Sequence, residues 1–576
     1  MGDDERPEST PDADATPEAA PGGEVAAGGE MAPGGEMAPG AEVAPTVPPE
    51  EAAVEAPSEP DAAAEPESEP EPESAPHSSV STPGMGRTVT VISLRVVRGL
   101  AGMAAAAAVI AAVGLVPLPT IGVTPLATTV TPEAADLLAL CPGATLRLGD
   151  ETGANAGQPF SVGTPDLTVA STGTPARAPL TRSDADSGGT NRAPMLLRLP
   201  PSDDAVLVAA QSQNLDGDGG LRGLAVAGCA EPTSSAWLVG GATTVGRSTL
   251  LLLANPTSVE AEVEVTMWGE SGRVTAPGMK GIAVPANGQR VLALSGFAPD
   301  LASPMVHVEA RGGQIVAALQ TSVTRVLDPG GVDFVAAGTA PSREVVIPAV
   351  RIADAAGVAS SLGLEGYEDL EAIVRVGNPG EETALVEVSV TPTTAQGTAT
   401  SFQLQVPAGQ AVDTALASAL ELGAEPFADG SYTVTLHADS PVVAAVRAST
   451  SPAPTTDADG DIQPGGADLA WFASASGLSG DVAIAVADAD APVLVAAATD
   501  RAAHTLTLTP IDGGDAITLE VPGTGSVAVA LKSDTGYLLS GSKGVAVALT
   551  FAAPGELGGY PIVSPRAADS PIVIRP

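Results

Sequence analysis

Two stretches of this 576-residue chain spell the same runs in the same order, and that repeat limits the fold more than any other feature. The first reads LLLANP at Leu251–Pro256, VEVTM at Val263–Met267, VPANGQ at Val284–Gln289 and QIVAAL at Gln314–Leu319. The second reads VRVGNP at Val374–Pro379, VEVSV at Val386–Val390, VPAGQ at Val406–Gln410 and PVVAAV at Pro441–Val446. Asn255 precedes Val284 by 29 positions and Asn378 precedes Val406 by 28. A weaker third copy carries LEVPGTGS at Leu519–Ser526 and GVAVAL at Gly544–Leu549, with Ala487–Asp488 where the Asn-Pro belongs. The runs are short and either apolar or alternating with period two, and Gly, Pro, Asn and Asp stand between them, which is the pattern of strands and turns. With 65 Gly and 53 Pro, the chain is too often interrupted to be helical.

A period of roughly 120 residues is too long for a solenoid or a propeller blade. It suits a sandwich of about seven antiparallel strands, so the expectation is an all-β chain of tandem immunoglobulin-like β-sandwich modules. Asn255 with Pro256, and Asn378 with Pro379, are read as structural strand ends: the Asn side chain mimics a turn and Pro cannot continue a ladder. An AWF run at Ala470–Phe472 is aligned with AWL at Ala236–Leu238, which puts Trp237 and Trp471 at equivalent positions as buried core anchors.

The N-terminal part has a different composition. Residues 1–88 hold 21 acidic side chains against Arg6 and Arg87, 16 prolines and no Phe, Tyr or Trp. Such a segment buries too little apolar surface to offset its ordering entropy and is expected to be disordered. Its hexapeptide repeat (GGEVA, GGEMA, GGEMA, GAEVA between Gly22 and Ala44) lacks stacking aliphatics, and the Pro-Glu run after Pro66 reads as an extended spacer or bait for a basic partner.

Gly99–Val116 then runs 18 apolar residues without a charge. At 1.5 Å per residue this covers about 27 Å of a hydrocarbon core of roughly 30 Å. Residues 95–121 are therefore expected to form one transmembrane helix. Arg87, Arg95 and Arg98 precede it, which places the tail in the cytoplasm and the remainder outside. A cleaved leader and a buried Ala-rich helix are the alternatives; the long N-terminal segment and the lack of an A-x-A site after Val116 favour an uncleaved anchor. Cys141 and Cys229, the only cysteines, are expected to pair in an oxidising compartment. The boundaries read from these signals are 1–88 for the tail, 131–236 for a first module with the disulfide, and 237–340, 341–455 and 456–576 for three sandwich repeats.

Cys229, SSAWLVGG at Ser234–Gly241, LLLLANP at Leu250–Pro256 and the preceding Ala-rich segment together resemble an uncharacterised family of actinobacterial membrane-anchored extracytoplasmic proteins, over roughly residues 95–576. The resemblance implies location and lineage, and association with envelope glycosyltransferases; it implies no mechanism.

Chemistry is sparse. A formal charge of −44 opposes nucleic-acid binding, which needs Lys and Arg to displace counterions. No G-x-S-x-G elbow, H-E-x-x-H helix or phosphate loop occurs, and His307, His437 and His504 fall in separate predicted strands. No carboxylate spacing singles out a glycosidase pair. Two loops weakly match a calcium ligand pattern: Asn214, Asp216 and Asp218, with Ala225 where the bidentate Glu belongs, and Asp457, Asp459 and Asp461, with Asp468 at the twelfth position. Asp-rich turns explain both without metal. The expectation is a non-enzyme without cofactor, membrane-anchored in the cell envelope as a scaffold or docking module for envelope proteins or glycans. An accessory subunit of an envelope glycosyltransferase or export system is the alternative, and a secreted hydrolase the third.

Overall fold

The computed structural model describes residues 99, 101–108, 128–130, 135–149, 155, 157–183, 189–202, 204–393, 399–420, 427–565 and 572–574. The chain divides into two units, Met1–Thr120 and Ile121–Pro576. The acidic tail and most of the expected span lie outside the described residues; Gly99 and residues 101–108 are helical. Among the described residues, no helix is long and apolar enough to cross a membrane.

The second unit is predominantly β, and one strand order recurs along it. Take residues 235–335, setting aside the two-residue strand Gly272–Arg273. Their first, sixth, third and fourth strands (Ser235–Val239, Met305–Arg311, Ala261–Gly269, Ile282–Val284) form one antiparallel sheet. Their eighth, seventh, second and fifth (Asp328–Val335, Val316–Arg325, Arg247–Asn255, Gly288–Ala293) form another. Residues 342–473 repeat this with Ser342–Ile352, Gly430–Thr450, Ala384–Pro392 and Thr400–Val406 in one sheet, and Asp468–Ala473, Gly430–Thr450 again, Ile373–Gly377 and Ala411–Ala415 in the other. Here the sixth and seventh strands are one 21-residue strand that changes sheets. Residues 482–562 repeat it once more: Val482–Val486, Thr535–Ser540, His504–Pro510 and Ile517–Val521 in one sheet, Glu556–Ile562, Val545–Ala553, Val493–Ala498 and Ser526–Ala530 in the other.

The segment before them follows the same plan in reduced form. Leu137–Cys141, Met195–Leu199 and Ala176–Pro179 make one sheet, and Arg222–Gly228, Leu207–Asp216 and Asp166–Ser171 the other. The unit thus holds four modules, numbered one to four along the chain, where the repeats in sequence disclosed three.

The recurring runs fall on corresponding elements. Asn-Pro ends the second strand, the Val-Pro turn joins the fourth to the fifth, and the small-residue run is the seventh. The AWF alignment does not hold. Asp468–Ala473 completes module three by pairing with Gly430–Thr450, so Trp471 sits on an eighth strand while Trp237 sits on a first. Ala-Trp followed by an apolar residue suits any buried strand, and so could not fix which strand it was.

Each module's core admits side chains from the next. Trp471, Leu469 and Val443 of module three join Leu251, Val263 and Met305 of module two. Leu557 of module four joins module three, Leu224 and Val226 of module one join module four, and Leu146 and Ala225 of module one join Leu252 and Phe334 of module two. The contacts therefore close into a ring. Its centre is formed by the four eighth strands: Arg222–Gly228 touches Asp328–Val335 and Glu556–Ile562, and Asp468–Ala473 touches both of those.

Candidate functional site

Backbone groups at the ring's centre need partners although no sheet pairs these four strands with one another. One carboxylate supplies them. Asp468, fully buried, accepts the N–H of Leu224 (2.8 Å) and Leu557 (2.9 Å) on Oδ2 and that of Val332 (3.2 Å) on Oδ1. One side chain of module three thus ties modules one, two and four. Close approach demands glycine opposite: a Cβ at Gly223 (φ 117°) would strike the carboxylate, and at Gly331 (φ 132°) it would meet the Asp468 backbone at 3.2 Å. Burial pushes the Asp468 carboxyl up to about 7, against the opposing pull of its N–H donors. Asp333, on the neighbouring eighth strand, accepts the Trp471 N–H at 2.8 Å through Oδ2, while its buried Oδ1 has no partner. Burial, reinforced by the charge of Asp468, raises it well above the carboxylate range.

A second buried charge joins modules two and three. The Arg375 guanidinium forks onto Asp413 (2.7 and 2.8 Å) and donates to the carbonyls of Gly241, Ala302 and Pro304, with its carbon 4.5 Å from the centre of the Trp471 ring. Asp333 Oδ1 apart, these carboxylates and the Arg375 guanidinium are hydrogen-bonded within the fold, where they tie neighbouring modules together.

Beside this centre lies a cavity of about 490 Å³, lined by modules one, two and four. Its walls are small and apolar, among them Val208, Ala227, Ala317, Ala336, Ala483 and Ile484. Ser235 and Trp237 line it too. Ser235 Oγ lies 3.0 Å from His307 Nε2, and the imidazole stacks on Trp237 at 4.2 Å, which in turn stacks on Trp268 at 5.6 Å. Cross-strand register explains the cluster, since Trp237 faces His307 and Ser235 faces Glu309. Partial burial lowers the His307 pKa, with Glu309 opposing. Among the described residues no carboxylate hydrogen-bonds this imidazole, so the pair lacks the orienting third member of a hydrolytic triad.

The residues singled out in sequence are dispersed. Cys141 and Cys229 form a disulfide, and Cys229 lines the cavity. Asn255 Nδ2 donates to the carbonyls of Val259 (2.8 Å) and Val284 (3.0 Å), and Oδ1 accepts from Thr257. Asn378 repeats this with Glu382 (2.7 Å), Val406 (3.0 Å) and Gly380. Pro256 directly follows its strand, and Pro379 stands two positions beyond the end of its own. Trp237 is half-buried, Trp471 buried.

In the first calcium-like loop Asn214 donates to Glu556 (2.5 Å) and Asp216 accepts the Asp218 N–H (3.0 Å). In the second, Asp457 accepts the N–H of Asp459 and Asp461 and the amide of Gln463, Asp459 and Asp461 are exposed, and Asp468 has turned inward to the ring's centre. The contacts of Asp216 and Asp457 are turn contacts, and that of Asn214 crosses from module one to module four. Among the described residues, no group of three or more His, Cys, Asp or Glu is placed to hold a metal ion. Asp333 and Asp468 were not singled out for the role they play. Their signal is a lone Asp inside an apolar run (GGVDFV, ADLAWF), which predicts a buried, hydrogen-bonded carboxylate.

A model for a family of unknown function (DUF5719) matches residues 184–532, more than half of the chain. The chain belongs to the DUF5719 family. The match takes in modules two and three whole, and with them Asp333, Asp468 and both Asn-Pro strand ends. No curated protein matches the chain.

Proposed function

We propose that this DUF5719 protein is a non-catalytic cell-envelope protein of actinobacterial type. It is anchored by one helix within residues 95–121, carries its acidic tail in the cytoplasm, and presents four immunoglobulin-like sandwich modules outside as a scaffold for envelope proteins or glycans. The observation that carries the reading is the Cys141–Cys229 disulfide, formed by the chain's only two cysteines, downstream of an uncharged 18-residue apolar stretch preceded by arginines. Disulfides persist in oxidising compartments, and Arg on one flank of a span marks its cytoplasmic side. The ring supports the docking role: its buried charges hold modules together, which leaves edges and loops for partners. The −19 charge of residues 1–88 suits a basic cytoplasmic partner.

The test is topological. Protease added to intact cells, after removal of the outer wall layers, should digest epitopes beyond residue 131 and spare one placed near residue 50. Digestion of both, or recovery of the chain in the soluble cytosol with both thiols free, contradicts the reading.

A further inference from the structure

The cavity beside the ring's centre is not explained by assembly. Among its described lining residues Glu231 alone carries a charge, and the polar groups Thr233, Ser235 and Ser564 accompany walls drawn from three modules that are mostly aliphatic, with Trp237, Phe334 and Tyr560 among them. A volume of about 490 Å³ falls within the roughly 300–1,000 Å³ of small-molecule sites, which are mostly apolar with a few polar groups fixing orientation. Solvent in a mostly apolar recess of this size gains few polar partners and gives the lining weaker dispersion contacts than a ligand would. A ligand that fills it stabilises the ring by mass action.

Charge decides the ligand class. Glu231 in the wall and Glu309 opposite Ser235, in an ectodomain carrying −27, disfavour an anionic head. The Ser235 hydroxyl, held by His307 at 3.0 Å, can give or take a hydrogen bond from a neutral group. We infer that the cavity binds a neutral aliphatic chain ending in a hydroxyl or ester, its chain against Ala227, Ala317, Ala336 and Ile484 and its head at Ser235. Small residues on three modules, Ala227 and Gly228, Ala317 and Ala336, and Ala483, leave the room that such a chain would take, with Trp237, Phe334 and Tyr560 also on the wall. The site does not depend on the anchor and would exist in a soluble form of the same chain.

Photo-crosslinking tests it on the purified full-length chain. Dodecanol with a diazirine near its chain end is the probe, and dodecanoic acid with the same diazirine the comparator. Peptides spanning 227–237 and 334–340 should carry the label, competed by plain dodecanol, and the acid should need at least ~10-fold higher concentration for equal labelling. Ala336→Phe should abolish labelling. If that variant fails to fold, the wild-type map decides alone. Label confined to the apolar stretch 99–116, scattered over the surface, or equal for acid and alcohol overturns the proposal.

Discussion

Asp457 and Asp468 lie eleven positions apart and both gather backbone N–H groups onto one carboxylate, yet they do opposite things. Asp457 is exposed, and its donors come from Asp459, Asp461 and the Gln463 amide in its own loop; these bonds hold its carboxyl below the usual range. Asp468 is fully buried, its donors belong to three other modules, and burial carries its carboxyl up to about 7. Hydrogen bonding is similar in kind at both; desolvation decides the sign. A local cluster shapes a turn, whereas the same chemistry moved inside joins four separately folded sheets.

Breaking the buried member should have the largest effect. Asp468→Ala strands the N–H groups of Leu224, Val332 and Leu557 in the core, and should destabilise the unit by ~3–5 kcal/mol in denaturant unfolding, with changed cooperativity as modules part. An effect under ~1 kcal/mol would remove Asp468 from its central role. The Asn clamps are the intermediate case, buried but within one module. Asn255→Ala and Asn378→Ala should each cost ~1–3 kcal/mol, nearly alike because their partners correspond.

Acidity sharpens the contrast. A carboxyl raised in the folded state contributes stability that is fully present below its unfolded value and lost as pH rises through the folded one. Stability should therefore decline between about 4 and about 7 through Asp468, by at most ~1.4 kcal/mol per pH unit, and Asp468→Asn should flatten that slope. Asp457, lowered in the fold, acts in the other direction: its contribution is present above the unfolded carboxylate range and fades as pH falls through its own lower value. The smallest effect is Asp457→Ala, expected to leave the denaturant midpoint unchanged because the turn faces water.

What could be read from the residues alone follows the same divide. Period-two runs, Asn-Pro strand ends and the Val-Pro turns at a spacing of 28–29 are local signals, and they lie on the second to fifth strands of modules two and three. Module one stayed hidden as a repeat because it carries none of those turns; Asp166–Ser171 ends without Asn-Pro, and the short strand Thr181–Arg182 that follows its third strand pairs with Gly288–Ala293 of module two. The position of Asp468 was illegible for a different reason. Its partners stand 244, 136 and 89 residues away, and an Asp at the end of a Gly-rich loop spells a turn until the strand after it is known to lie at the centre of a ring. The cavity is likewise set by packing between modules, so its Ala residues look like any others in an Ala-rich chain.

The closed ring around Asp468 is tested most directly by amide hydrogen exchange at Leu224, Val332 and Leu557, in the wild type and in Asp468→Asn. The account predicts that in the wild type these three amides exchange only through global unfolding, and that the substitution speeds all three together by at least ~10-fold. Fast wild-type exchange at any of them, or acceleration confined to residues next to position 468, would contradict it.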